Sequence, residues 1–201
     1  MSMQKTALYV AAFAVARCAV AQDFLDNSSF DLDASSWTSP VGTWSNLENH
    51  GGSASGADSG SLQMTTNSFT ATSQCVAVAP SSTYVLHAWI ELDPLREEHP
   101  CTLANANLEI DWYSDAACEQ TSVLAVQNQA KHPIPFGWYD ATLTYTAPQT
   151  AHGASVHLND FCSTQDGTSL FYFDDVTLML DSVFKNDFEV HATEGGPGQP
   201  Q

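Results

Sequence analysis

The sequence predicts an all-β sandwich of the jelly-roll type, held by two disulfides. Three observations carry this. No segment sustains apolar residues at helical spacing with caps at both ends. Short runs of alternating apolar and polar residues, separated by turn formers, recur along the chain instead. Four cysteines, Cys75, Cys101, Cys118 and Cys162, follow a leader-like N-terminus, and an even number in an exported chain reads as disulfides.

The alternating runs are Ser61 to Thr66, Gln74 to Ala79, and Tyr84 to Leu92, the last two joined by Pro80-Ser81-Ser82. Ala104 to Tyr113 and Thr121 to Asn128 come next, and His132-Pro133-Ile134-Pro135 breaks the chain. Trp138 to Thr146, ended by Pro148, then Ala154 to Asn159 and Ser169 to Leu180 complete the set, with Asp166-Gly167 as a turn before the last. Regular short strands with turns between them point to a sandwich or jelly roll. Asn49 to Gly60 is rich in Gly, Ser and Ala and reads as an exposed loop; Glu194 to Gln201 is rich in Gly, Pro and Gln and reads as a flexible tail.

The N-terminus places the compartment. Lys5 precedes a mostly apolar stretch, Thr6 to Val20, and Ala19-Val20-Ala21 supplies the small-x-small pattern of signal peptidase. Arg17 interrupts the stretch, which is too short for a membrane span. The expected layout is a signal peptide at 1–21, one sandwich domain at 22–182 and a tail at 183–201. The expected location is secreted, periplasmic or cell-surface, and the expected state is a monomer.

The 201-residue chain has 5 basic and 23 acidic residues, a formal net charge of −18. Lys5 and Arg17 leave with the leader, so only Arg96, Lys131 and Lys185 stay against the acids. Such a chain repels phosphate backbones, so nucleic acid and anionic membranes are poor partners.

The four cysteines spell no paired C-x-x-C zinc pattern. Three disulfide connectivities are open. The preferred one is Cys101–Cys118, tying the ends of one strand-and-turn segment, with Cys75–Cys162 stapling two distant strands.

Alternation assigns faces. Tyr84, Leu86, Ala88 and Ile90 share one side of their run, and His87, Trp89 and Glu91 the other. Ala106, Leu108, Ile110 and Trp112 oppose Asn107, Glu109, Asp111 and Tyr113. Val156 and Leu158 oppose His157 and Asn159. Each of the three strands has one apolar face and one polar face.

Several segments together resemble a known family. Leu25-Asp26-Asn27-Ser28-Ser29-Phe30-Asp31 followed by Trp37 is similar to its Asn-Gly-x-Phe-Glu opening and tryptophan. The run from Cys75 through Pro80 to Tyr84 resembles its strand, turn and tyrosine; Trp138 with Ala147-Pro148 and the closing Phe173-Asp174-Asp175-Val176-Thr177-Leu178 follow in the same order. The family is the carbohydrate-binding modules of the cellulose- and xylan-binding jelly-roll group, within the galactose-binding-like sandwiches. The likeness runs from about Phe24 to Leu180. Ser28, Ser29 and Asp31 stand where Gly and Glu are usual. Val183 to Glu189 is similar to a phenylalanine-acid signature ending some exported bacterial proteins.

The resemblance implies a structural calcium ion between the opening segment and the closing strand, with Asp31 and Asp174 as ligands. Alternation puts Asp174 on the face of Val176 and Leu178, hence pointing inward; a buried carboxylate demands a cation or hydrogen-bond donors. A glycan face would combine Trp89 as a stacking ring with His87, Glu91, Asn107, Glu109, Asp111, Tyr113, His157 and Asn159, provided the three strands are neighbours.

No catalytic set is expected. The acids Glu109 and Asp111 invite a hydrolase reading, but 23 acids make chance pairs common. No G-x-S-x-G or H-E-x-x-H motif is present. Asn27-Ser28-Ser29 is a glycosylation sequon, relevant in a eukaryotic source. The reading is a non-catalytic binder of a polysaccharide or glycan. The alternative is a structural or adhesive surface protein that no longer binds sugar. Exposure of Trp89 separates the two.

Overall fold

Strands with one apolar face must bury it, and here two sheets bury theirs against each other. The computed structural model describes residues 22–38, 42–50, 60–93, 101, 104–131, 137–162 and 167–181. The expected signal peptide and tail lie outside them, as does most of the expected Asn49 to Gly60 loop. Among the described residues nine strands form: β1 (Gly42–Ser45), β2 (Ser61–Thr66), β3 (Phe69–Ala77), β4 (Thr83–Leu92), β5 (Ala104–Tyr113), β6 (Val123–Lys131), β7 (Tyr139–Thr146), β8 (Gly153–Cys162) and β9 (Ser169–Leu180). They make a five-stranded sheet, β1-β2-β9-β4-β7, and a four-stranded sheet, β3-β8-β5-β6. Every pairing is antiparallel. No helix among the described residues is long and apolar enough to cross a membrane.

Tyr84, Leu86, Ala88 and Ile90 of β4 meet Ala106, Leu108, Ile110 and Trp112 of β5 in the core, with Val156 and Leu158 of β8. Trp112 donates its indole N–H to Gln127 Oε1 at 2.7 Å, which satisfies the one polar atom this large ring brings inside. The opening segment closes one end by tying both sheets. Asp23 bridges Met179 of β9, and Thr38 bridges Ser73 of β3. Between them, Phe30 and Trp37 enter the core. Asp26 and Gln74 exchange two hydrogen bonds, backbone N–H to Oε1 at 2.6 Å and Nε2 to backbone carbonyl at 2.9 Å.

The disulfides correct the preferred pairing: Cys75 bonds Cys118, and Cys101 bonds Cys162. The reason is register. Cys75 faces Ser155 across β3 and β8, so Cys162 is about 23 Å away along the same strand. The turn after β5 folds back to bring Cys118 to Cys75 instead. Cys162 is the register partner of Ala104, beside the lead-in to β5 that carries Cys101.

Two further expectations change. Asp174 does not point inward. A bulge in β9 lets two residues oppose Ala88, since His87 pairs with Thr177 and Trp89 with Asp174. Asp175 takes the extra position with a φ of 48°, and alternation reverses beyond it. The nine expected glycan-face residues also divide. β4 belongs to one sheet, β5 and β8 to the other, so His87, Trp89 and Glu91 lie across the sandwich from the remaining six.

Candidate functional site

On the five-stranded sheet, Trp89 stands between His87 and a residue the sequence assigned to an exposed loop. The His50 ring stacks on the indole, centroids 3.8 Å apart and planes 15° apart. His50 Nδ1 lies 3.0 Å from Asp175 Oδ2, and its backbone N–H donates to Asp174 Oδ2 at 2.9 Å. Trp138 meets the same ring edge-on at 5.7 Å. His87 contacts Trp89 edge-on and reaches Asp140 Oδ1 at 3.2 Å. One face of the indole is therefore occupied by the protein itself, so the exposure of Trp89 does not favour a sugar site on this sheet. Glu91 follows on the same strand face and is half-buried.

Asp174 is 1% exposed, and its carboxylate also accepts the N–H of Asp175 at 2.8 Å. Burial lifts its pKa to about 7, with the charges of Asp175 and Asp31 adding to the rise and the two N–H donors opposing it. Asp31 is exposed and accepts from Ser29 Oγ at 2.9 Å. The oxygen-only donor set suits calcium, and each carboxylate keeps lone pairs beyond its present hydrogen bonds.

The outer face of the four-stranded sheet is different. His157 of β8 is the register partner of Glu109 on β5 and of Ser73 on β3; Asn159 is the partner of Asn107 and Ala71. Asn128 of β6 faces Glu109 and donates to its Oε2 at 3.2 Å. His157 Nε2 lies 3.5 Å from Asp111 Oδ2. Four polar atoms here are shielded from solvent without a hydrogen-bond partner: Asn107 Oδ1, Asp111 Oδ1, His157 Nε2 and Asn159 Oδ1. Burial raises the pKa of Asp111, and the charge of Glu109 adds to this, against the lowering effect of His157 and the Tyr113 hydroxyl.

The ends of this face contrast. At one end the turn after β5 covers Tyr113 and Gly153, where a Cβ on Gly153 would collide with the Asp115 carbonyl. The Cys75–Cys118 bond pins that turn. Tyr113 is buried and so is wall rather than surface. At the other end, Phe69 and Phe161 are register partners, exposed at 55% and 37%. Val126 adds apolar surface on β6.

The sequence reading brought Asn107, Glu109, Asp111, His157 and Asn159 together on this face. It missed Phe161, Phe69, Asn128 and, on the other sheet, His50. Phe161 carried a signal: it continues the period-two series His157, Asn159 by one step. His50 carried none, being next to a Gly/Ser-rich stretch.

No protein-family model matches the sequence, and no curated protein matches it. Solved structures do match in fold. One is described as "Family 16 Carbohydrate Binding Module-2", with a TM-score of 0.55 at 15% identity over 78% of this chain and 99% of that one. A family 61 module in complex with β-1,4-galactotriose gives a TM-score of 0.53 at 11% identity over 80% and 99%. The CBM22-1 xylan-binding domain from Paenibacillus barcinonensis Xyn10C gives 0.53 at 14% identity over 76% and 91%. At these identities the shared property is the fold, the jelly-roll β-sandwich of carbohydrate-binding modules.

Proposed function

We propose that the protein is an exported, non-catalytic, monomeric binder of a polysaccharide or glycan, which it holds on the outer face of the four-stranded sheet. One observation carries this: shielded polar atoms of Asn107, Asp111 and Asn159 without hydrogen-bond partners share a single sheet face. Such atoms are costly unless a ligand completes their hydrogen bonds, and sugar hydroxyls both donate and accept. The exposed rings of Phe161 and Phe69 next to them offer the apolar contact that a pyranose face requires. Two disulfides and an acidic chain support export. The similar modules named for xylan and galactotriose set the ligand class to try first. Glu109 and Asp111 leave one strand on the same side, so they address one side of a bond rather than flanking it, which favours binding over hydrolysis. A structural calcium on Asp31 and Asp174 belongs to the same reading, supported by the mutual repulsion of these carboxylates.

The test is a glycan array with the purified protein beside Asn159→Ala. Binding by the parent and its loss in the variant is the expected result. No binding to any glycan by a folded parent would overturn it and move the assignment to a structural or adhesive protein.

A further inference from the structure

We infer that Glu109, Asp111 and His157 form a binding site for a first-row divalent transition cation, distinct from the Asp31 and Asp174 pair. The inference shares a sheet face with the proposed glycan site but does not depend on sugar binding.

The placement follows from strand geometry. Glu109 and Asp111 are two apart on β5, so both carboxylates leave the same face. His157 is directly across from Glu109 on β8. One donor atom from each lies within 4.8 Å of the others. The 3.5 Å from His157 Nε2 to Asp111 Oδ2 is close to the separation of about 3.3 Å between two ligands on one tetrahedral zinc. All three side chains are only half-buried, so small rotations can bring Glu109 in.

The donors are held but not used up. Asn128 steadies Glu109 through Oε2, as outer partners do for metal ligands. Asp111 Oδ1 is shielded and has no hydrogen-bond partner, and the shielded His157 Nε2 has only its 3.5 Å contact with Asp111 Oδ2. A further sign is Asn159, next to His157 on this face and opposite Asn107: it is 3% exposed and its Oδ1 has no hydrogen-bond partner. Two carboxylates set side by side repel each other, and a cation between them removes that cost. The imidazole decides the class of ion: zinc and its neighbours take nitrogen with carboxylate oxygen, whereas calcium and magnesium prefer oxygen alone. Three protein ligands leave an open position toward the outer face of the sheet, where water or a glycan hydroxyl completes the shell.

The experiment titrates the metal-stripped protein with Co2+ in excess calcium, following visible absorption, and repeats it calorimetrically with Zn2+. Expected are one equivalent bound and a loss of at least tenfold in affinity for His157→Gln and for Asp111→Asn, with the exposed His152→Ala unchanged. Paramagnetic shifts centred on the His157 ring in the parent protein give a readout that needs no variant to fold. Absence of binding, equal affinity in His157→Gln, or shifts centred on another histidine would each overturn the site. Glycan binding that persists in chelator alongside no metal uptake would sink this inference and leave the glycan reading standing.

Discussion

The imidazole of His50 lies flat on the indole of Trp89, with ring centroids 3.8 Å apart. An indole already stacked by its own protein is a poor platform for sugar on that face. The pair instead clamps the segment that carries His50 onto the sheet, helped by the His50 N–H to Asp174. Trp89→Ala is expected to lower unfolding free energy by about 1–3 kcal/mol, less than a fully buried tryptophan would, while glycan binding is unchanged. Urea melts and the glycan array check both halves. Lost binding with unchanged stability would return Trp89 to the ligand site.

Cys75 and Cys118 close a loop of 43 residues in sequence separation, and Cys101 and Cys162 one of 61. Chain entropy assigns each closure about 4 kcal/mol. The paired variant Cys75→Ser with Cys118→Ser should lose about that much and also free the turn that covers Tyr113 at one end of the face. Glycan affinity should then fall, whereas removing the Cys101–Cys162 bond should act on stability alone. Peptide mapping without reduction checks the connectivity directly.

Much of the architecture is legible because alternation is a local property. Ser61–Thr66, Ala104–Tyr113 and Ser169–Leu180 begin and end where the apolar pattern places them. The first half of β3 was hidden, since Thr70, Thr72 and Ser73 give no apolar period. β1, with four residues at a sheet edge, is too short to show one. Sheet membership is not local: nothing in β4 tells that its neighbours are β9 and β7 rather than β5 and β8, so the polar face assembled from three strands divided into two. Cysteine pairing fails for the same reason. Asp174 was misplaced by a single bulge at Asp175, which one added residue creates without any Gly to announce it. The polar half of the candidate site was readable because β5 and β8 do pair, with Glu109 opposite His157.

Asp174 ties stability to pH. Its folded-state pKa is raised to about 7, above the unfolded value near 3.9. Between these values the folded state holds a proton that the unfolded chain has released. The contribution is therefore fully present below about pH 4 and is lost as pH rises through about 7. Asp174→Asn should flatten this part of the stability profile in thermal melts taken from pH 4 to 8. Calcium bound by Asp31 and Asp174 would act in the opposite sense, favouring the ionised carboxylate. Added calcium should raise the melting temperature of the parent more at pH 8 than at pH 5, and chelator should reverse it. A melting temperature indifferent to calcium at both values would remove the ion from this site.

Gln74 is buried and exchanges two hydrogen bonds with the backbone of Asp26. Gln74→Ala leaves a donor and an acceptor of the opening segment unpaired, at a cost of about 1–3 kcal/mol. The loss should appear as faster amide exchange across residues 22–38 before global unfolding. Uniform exchange with no local effect would show that this contact does not hold the segment.

Phe161 and Phe69 stand side by side at the open end of the four-stranded face. Both rings are exposed beside polar atoms without hydrogen-bond partners, and neither fills the core. Removing either should therefore change stability by about 0.5 kcal/mol or less, as at other surface positions. Binding should respond differently, because a ring contact of this kind is worth about 0.5–1.5 kcal/mol beyond its area. Phe161→Ala is the more informative change, since Phe161 adjoins Asn159 and Asn105 in the ladder while Phe69 lies at the sheet edge. Glycan affinity should drop by about tenfold for Phe161→Ala, and less for Phe69→Ala. If the double variant binds as the parent does, the apolar contact lies elsewhere and the polar face takes its ligand without a stacking ring.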